Sequence, residues 1–285
     1  MLYRQFNSQE EIDRQYDPRR LVDIAPHLLR YQENSDDARE RFNNIQDLSY
    51  GPTLPEYLDL FVADVPNAPL HVFFHGGYWR ALSSKEFAFV AGGLVPAGVT
   101  TAVVNYALCP SVSLSEIVRQ CHSAMAWLYR HAERYDYDAH RITVSGHSAG
   151  GQIVGMLLAT DWTEQYGLPN DIIKGASPVS GVFDLAPLPF SWLQPALQLD
   201  WREVSVLSPL NRLPVVCCPV SVMVGGLESE EFLRQSRDYA AWLDEAAPSG
   251  PVSHTIVPGA HHFSVLDGLN TGRGPLFRSI LDQIQ

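Results

Sequence analysis

Short apolar runs recur along the chain after residue 50, and polar or helix-like segments separate them. Each run is rich in Val, Ile, Leu, Phe or Thr and is too short for a typical helix, which predicts β-strands. The predicted strands cover residues 58–62, 70–74, 100–106, 141–144, 174–181, 217–226 and 253–257.

The segments between these runs carry the spacing of amphipathic helices. From residue 113 to 135 the apolar side chains fall three or four positions apart, at Leu114, Ile117, Val118, Cys121, Met125 and Leu128. Further helices are predicted at residues 152–159, 229–246 and 276–284. Strands that alternate with helices predict the α/β class, with a mostly parallel central sheet and helices on both faces.

Two segments depart from this alternation. Residues 8–49 are polar and charged with few β-branched side chains, which predicts helix. Residues 1–49 are therefore an N-terminal helical extension, and whether it forms a small cap over the site stays open. Residues 184–214 are irregular and rich in proline and aromatic side chains, and we interpret them as an insertion over the site. The rest of residues 50–285 forms the core of a single domain spanning 1–285, because α/β folds reach this length undivided.

The composition narrows the classes of partner. Hydrophobic residues make up 46% of the chain and charged residues 18%, as in ordinary soluble globular proteins. Twenty basic against 32 acidic residues give a net charge of −12, which argues against nucleic acid or an anionic membrane as a partner. The expected partner is a small-molecule substrate, and a homodimer stays open.

The cysteines and the N-terminus bear on the compartment. Cys109, Cys121, Cys217 and Cys218 lack zinc-finger spacing and are expected to be reduced thiols. The first residues lack the apolar core of a signal peptide, and no apolar run is long enough to span a bilayer. The sequence therefore predicts a cytoplasmic protein.

A nucleophile motif stands between a predicted strand and a predicted helix. Gly146-His147-Ser148-Ala149-Gly150 has the form G-x-S-x-G, with a further glycine at Gly151. A sharp strand-to-helix turn exposes the serine oxygen at a helix N-terminus, and the flanking glycines leave room for the crossing backbones. Ser148 is therefore the predicted nucleophile.

A second glycine motif follows the strand at residues 70–74. His75-Gly76-Gly77-Tyr78-Trp79 can bring backbone N–H groups close to a reacting carbonyl oxygen. Gly76, Gly77 and Ala149 are the predicted donors of an oxyanion hole. His75 either orients this loop through a hydrogen bond or acts as a second base, and we favour the orienting role.

The base and the acid should follow the serine in the chain. His254 lies inside the last predicted strand, whereas His261 and His262 lie in the loop after it, where a base belongs. Two adjacent histidines cannot both reach the serine. Glu228 follows the strand at 217–226 and is the favoured acid, with Asp184 as its rival. Because H-E-x-x-H and similar ligand patterns are missing, we expect neither a metal nor a cofactor.

Taken together, these motifs resemble the kynurenine formamidase (arylformamidase) branch of the α/β-hydrolases, which neighbours the hormone-sensitive-lipase-like carboxylesterases. The resemblance covers nearly the whole chain. It includes residues 50–51, 58–61, 75–79, 146–151, 180–185, 208–210, 231–232, 234–236 and 262–263. It implies the α/β-hydrolase fold, favours His262 over His261 as the base, and puts the acid at Glu228, three residues before Glu231-Phe232. The family usually has aspartate at this position, and often has aspartate where this chain has His261.

The sequence thus predicts a serine hydrolase in which Glu228 orients His262 and His262 activates Ser148. An aromatic pocket is predicted from Tyr78, Trp79, Phe190, Trp192 and Trp201. With the resemblance, this favours removal of a small acyl group, formyl first, from an N-formylkynurenine-like aromatic amine. A carboxylesterase for short-chain or aryl esters is the alternative, and a catalytically inactive binding protein is less favoured.

Overall fold

The computed structural model describes residues 1–246 and 250–284, and within these ranges eight strands form one sheet. The strands are β1 (Asn44–Ser49), β2 (Tyr57–Phe61), β3 (Ala68–Phe74), β4 (Thr100–Val104), β5 (Tyr137–His147), β6 (Gly175–Val179), β7 (Val220–Gly225) and β8 (Val252–Val257).

The sheet has the order β1-β2-β4-β3-β5-β6-β7-β8. Strand β2 pairs antiparallel with β1 and with β4, and the other neighbours pair in parallel. Strand β5 lies in the interior of the sheet between β3 and β6, so the residue that follows it is held from both sides. The predicted α/β-hydrolase fold, with its mostly parallel central sheet, is confirmed.

Helices cover both faces of this sheet. They are α1 (Gln9–Tyr16), α2 (Ala25–Arg41), α3 (Ala91–Leu94), α4 (Leu114–Arg130), α5 (Ala149–Leu158), α6 (Trp162–Tyr166), α7 (Gln194–Leu197), α8 (Trp201–Leu207), α9 (Glu230–Glu245), α10 (Asp267–Thr271) and α11 (Gly274–Ile284).

The central strands are buried on both faces, which explains their continuous apolar runs. Every residue of β3, β4 and β6 is buried. Along β3, Val72 and Phe74 pack into one hydrophobic cluster, whereas Phe73 packs into a second. Successive side chains of a strand point to opposite faces, so two cores lie on the two sides of the sheet.

The prediction of helix for residues 8–49 is wrong at its C-terminal end. Helix α2 ends at Arg41, Phe42 adopts an extended conformation, and residues 44–49 form strand β1 at the edge of the sheet. An edge strand is largely exposed and carries polar side chains, so its composition resembles that of a surface helix. Pairing with β2 overrides this local preference.

Smaller differences concern where elements begin and end. The strand predicted from residue 217 begins at Val220, because Pro219 has no N–H to donate to a ladder. The helix predicted from residue 152 begins at Ala149, directly after the serine. Across the part of the chain that the structure describes, no helix has the length and apolarity to cross a membrane.

Candidate active site

Ser148 lies in a sharp turn between β5 and α5. Its backbone has φ 57° and ψ −114°, a conformation that non-glycine residues rarely adopt and that usually marks a functional site. The Ser148 N–H donates to the Val179 carbonyl at 2.9 Å, which ties the turn to β6. A Cβ atom at Gly146 would overlap the Gly150 carbonyl, so the turn requires glycine there.

The loop after β3 packs directly against this turn. A Cβ atom at Gly76 would lie 3.2 Å from the Ser148 Cβ, which shows how closely the two backbones approach. Gly77, Tyr78 and Trp79 all have positive φ, and a Cβ atom at Gly77 would overlap the Ala81 carbonyl oxygen. Among the residues described, the N–H groups of Gly76 and Gly77 donate to no backbone carbonyl. These donors, beside the serine, are free to bind an oxygen of a substrate.

His75 holds the first peptide of this loop. Its Nδ1 donates to the Gly76 carbonyl at 2.7 Å, and its ring stacks on Tyr106 with centroids 4.1 Å apart. The C=O and N–H of a trans peptide point in opposite directions, so fixing the Gly76 carbonyl also fixes the Gly77 N–H. Burial lowers the pKa of His75 to about 4. This environment favours the orienting role over that of a second base.

His262 and Glu228 form a buried pair. The His262 Nδ1 and the Glu228 Oε2 are 2.6 Å apart, and the other oxygen, Oε1, accepts from the Gly225 N–H at 2.7 Å and the Ser180 hydroxyl at 2.6 Å. The ring of Phe232 packs at 4.7 Å from that of His262. With Nδ1 held by the carboxylate, Nε2 is the nitrogen available to accept a proton.

The rival residues are engaged elsewhere. The Nδ1 of His261 accepts from the Phe263 N–H at 3.2 Å, and its ring contacts His27 with centroids 4.5 Å apart. His254 is exposed on β8. The Asp184 carboxylate accepts from the Tyr3 hydroxyl at 2.6 Å and from the Ala186 N–H. The geometry therefore favours Glu228 over Asp184, and His262 over His254 and His261.

Ser148 and His262 open onto the same cavity, of about 840 Å³ including its mouth. The part of this space that water molecules can occupy is about 210 Å³, which leaves room for a small substrate. The cavity is lined by Asp17, Pro18, Arg19, Ile24, Leu28, Tyr31, Gly76, Gly77, Tyr78, Arg80, Ala81, Leu82, Phe87, His147, Ser148, Trp192, His262 and Phe263.

The structure corrects the predicted pocket for three of its five aromatic residues. Tyr78 and Trp192 line the cavity, but Trp79, Phe190 and Trp201 do not. Trp79 is fully buried and donates to the Gln152 side chain, which joins the glycine loop to α5. Phe190 packs against Trp201 at 5.7 Å, and Trp201 is 59% exposed. These rings pack within the loop and the insertion and lie outside the cavity lining.

The N-terminal extension supplies part of the cavity wall, a role that the sequence left open. Asp17, Pro18 and Arg19 follow α1, and Ile24, Leu28 and Tyr31 come from the start of α2 and the residue before it. The Asp-Pro pair after α1 predicts a turn, but nothing local in the sequence says where that turn docks.

Comparison with known proteins adds evidence from the whole chain. The BD-FAE family pattern matches residues 58–180. Kynurenine formamidase of Danio rerio is 31% identical over 92% of this chain and 92% of its own length. Kynurenine formamidase of Drosophila melanogaster is 28% identical over 74% of this chain and 72% of its own length.

Solved structures show the same architecture. A candidate thioesterase of Silicibacter sp. tm1040 superposes with a TM-score of 0.84 at 28% identity, covering 95% of this chain and 99% of that one. An esterase of Pyrobaculum calidifontis has a TM-score of 0.69 at 16% identity, covering 92% and 93%. The resemblance predicted from the motifs is confirmed, and the chain belongs to the kynurenine formamidase family of the α/β-hydrolases.

Proposed function

We propose that the protein is a serine hydrolase that removes a formyl group from an aromatic amine of the N-formylkynurenine type. The observation that carries the proposal is the single cavity onto which Ser148, His262 and the glycines of the loop after β3 all open. Ser148 is only 2% exposed. A substrate must therefore bring its carbonyl carbon into the cavity, and formyl, which carries only hydrogen on the acyl side, is the acyl group that needs the least room there.

The reaction follows from the geometry. His262, held by Glu228, takes the proton of the Ser148 hydroxyl as the Ser148 oxygen attacks the formyl carbon. The N–H groups of Gly76, Gly77 and Ala149 stabilise the negative oxygen that develops. His262 then donates the proton to the leaving aryl amine as the C–N bond breaks. Water, activated by His262, hydrolyses the formyl-enzyme and releases formate.

A carboxylesterase is the second candidate, because the same machinery cleaves esters. Relatives named esterases support it, among them Esterase LipQ of Mycobacterium tuberculosis, which is 27% identical over 76% of this chain. An ester is intrinsically easier to cleave than a formamide, so activity on an activated ester alone does not distinguish the two candidates. The discrimination must come from the acyl group and the leaving group.

The test compares kcat/KM for N-formylkynurenine and for p-nitrophenyl acetate, in the wild type and in Ser148→Ala. We expect the formamide to be preferred, its N-acetyl analogue to be cleaved far more slowly, and the variant to lose at least about 1,000-fold in kcat on both substrates. Cleavage of the ester alone would reduce the proposal to a carboxylesterase. A variant with near wild-type activity would remove Ser148 from the mechanism.

We further propose a cytoplasmic location and a small molecule as the partner of the site. The four cysteines support the first part, because all of them are free thiols and Cys109, Cys121 and Cys218 are buried. Fractionation of the native source followed by detection of the protein tests the location.

A further inference from the structure

Two arginines lie over one aromatic ring at the cavity. The guanidinium carbons of Arg19 and Arg80 are 4.4 Å and 5.3 Å from the centre of the Trp192 ring. All three residues line the cavity onto which Ser148 opens. Cation–π contacts hold a guanidinium in a defined place and leave its N–H groups free to donate.

The two arginines differ in how their charge is balanced. Arg19 forms a bidentate pair with Asp17, at 2.6 Å from Nε and 2.8 Å from Nη2. Arg80, in contrast, has no carboxylate partner within residues 1–246 and 250–284, and it is exposed. Among the residues that line the cavity, Asp17 and Arg19 neutralise each other, so Arg80 carries the charge that is left without a partner there. The Asp13 carboxylate, which accepts from the Trp192 backbone N–H at 2.7 Å, is not part of this lining.

The positive charge of Arg80 is opposite in sign to the net charge of the chain. The chain has a net charge of −12, so an anionic substrate is repelled at long range. Binding such a substrate requires a local cation that meets its negative group directly. A planar guanidinium suits a carboxylate best, because the two can share a pair of parallel hydrogen bonds.

Arg80 is also tied to the reacting end of the cavity. Its N–H donates to the Gly77 carbonyl at 3.1 Å, so it stands in the same tight turn as the oxyanion glycines. Tyr78, between them in sequence, packs edge-on against Trp192 with centroids 6.1 Å apart. An aryl ring that enters this space therefore meets an aromatic wall, with the oxyanion donors and the guanidinium on one short loop.

Trp192 itself has an unused polar group. Its Nε1 is buried and has no acceptor in the part of the chain that the structure describes. Because this nitrogen is enclosed, Trp192 supports the two guanidinium groups through the face of its ring and not through a hydrogen bond to a ligand.

We propose that Arg80, held over Trp192, is a specificity-determining residue that binds a carboxylate on the leaving-group side of the substrate. The inference rests on the proposed hydrolysis of aryl formamides and adds a requirement for a negative charge remote from the formyl group. The preferred substrate class is then an aryl formamide whose ring bears an amino-acid side chain with a free carboxylate.

The test uses two formamides that share the reacting group and differ in charge, N-formylkynurenine and formanilide. We expect Arg80→Gln to lower kcat/KM for N-formylkynurenine by about 10- to 100-fold, mainly through KM. The value for formanilide should stay within about twofold of the wild type. Arg80→Lys keeps the charge but loses the planar pair of donors, so its kcat/KM for N-formylkynurenine should lie between those of the wild type and Arg80→Gln.

The matched control is Arg278→Gln, which changes the net charge equally. Arg278 is exposed on α11 and lies near the starts of β7 and β8, at the opposite edge of the sheet from the site. It should leave both substrates unchanged. In addition, raising the salt concentration should increase the KM of the wild type for N-formylkynurenine and have little effect on that of Arg80→Gln.

Two results would overturn the proposal: an equal loss on both formamides, or no loss on the charged one. Failure of the proposed function is distinguishable, because the wild type would then cleave p-nitrophenyl acetate but neither formamide. In that case, the same variants assayed on phenyl acetate and on a phenyl acetate bearing a carboxylate side chain test the role of Arg80 separately.

Discussion

The Glu228 carboxylate joins three parts of the fold at one point. It contacts His262 after β8, the Gly225 N–H at the end of β7 and the Ser180 hydroxyl after β6. A negative charge that accepts three hydrogen bonds is well stabilised although it is buried. It can therefore stabilise the imidazolium that forms when His262 takes the proton of the serine.

Replacing this carboxylate by an amide should separate its charge from its shape. We expect Glu228→Gln to lower kcat by about 100-fold or more, because an amide cannot balance the imidazolium and can hold the wrong tautomer. Glu228→Asp keeps the negative charge, and aspartate is the residue that the resemblance leads us to expect at this position. Its kcat should therefore fall less than that of Glu228→Gln. The kcat for p-nitrophenyl acetate measures both, with circular dichroism as a control for folding. Equal losses in the two variants would show that side-chain length, not charge, matters at this position.

At the scale of elements, the N-terminal extension is fastened to the core by hydroxyl groups. The Tyr16 hydroxyl donates to Glu231 at 2.6 Å and accepts from Gln235 at 2.7 Å, both on α9. The Tyr78 hydroxyl, from the loop after β3, donates to the Tyr16 carbonyl at 2.6 Å. The end of α1 is thus fixed to the same loop that supplies the oxyanion donors, and Asp17 follows it directly into the cavity wall.

Removing one hydroxyl should loosen this attachment. We expect Tyr16→Phe to destabilise the protein by about 1–3 kcal/mol, because buried partners on α9 lose a hydrogen bond. Since the next residues line the cavity, KM for N-formylkynurenine should rise more than kcat falls. Urea unfolding and steady-state kinetics measure the two effects. Tyr166→Phe, on the remote helix α6, is the control and should change neither; a fall in kcat at constant KM would contradict this role of the extension.

At the scale of the whole molecule, buried neutral histidines make the fold sensitive to acid. Burial lowers the pKa of His71 to about 3 and that of His122 to about 4, and it lowers the pKa of His147 as well. In the unfolded chain these groups titrate near pH 6.5. Below that pH the unfolded state binds more protons than the folded state, so stability falls as the pH falls.

His71 offers a direct test of this linkage. Its ring lies between Thr143 and Ser145 of β5, at 2.9 Å and 2.7 Å from their hydroxyls, and both contacts suit a neutral imidazole. We expect its burial to contribute a loss of about 1.4 kcal/mol per pH unit between about pH 6 and 4. Urea unfolding at several pH values should show a shallower acid dependence for His71→Gln than for the wild type. His140→Gln, at an exposed site, should leave the slope unchanged, and an unchanged slope in His71→Gln would contradict the prediction.

Much of this arrangement could be predicted from the sequence because it is encoded locally. The apolar runs indicate strands buried on both faces, and the parallel order of those strands brings the loops after β3, β5, β7 and β8 to one edge of the sheet. Glu228 and His262 each stand just beyond a strand, so their approach follows from the topology. The Gly-rich turns can also be predicted from the sequence, because few residues other than glycine fit their backbone conformations.

The remainder depends on long-range docking that no local pattern carries. Residues 44–49 are polar because they form an edge strand, so their composition does not distinguish them from a surface helix. The sequence predicts that Trp79 contacts a ligand, but in the structure its indole donates to Gln152. The wall formed by Asp17, Arg19 and Tyr31 comes from a segment more than a hundred residues away in sequence from Ser148. Such contacts are set by the shape of the finished core and by single hydrogen bonds that leave no periodic trace.

The docking of the N-terminal extension also bears on how this enzyme can diverge. The reacting groups come from the sheet edge between residues 75 and 262, whereas much of the wall that meets the substrate comes from the first 31 residues. Substrate selection therefore depends partly on the first 31 residues, whereas catalysis depends on groups between residues 75 and 262. Substitutions in the early stretch can retune what enters without disturbing the machinery that cleaves. A descendant protein can therefore act on a different substrate with the same catalytic residues.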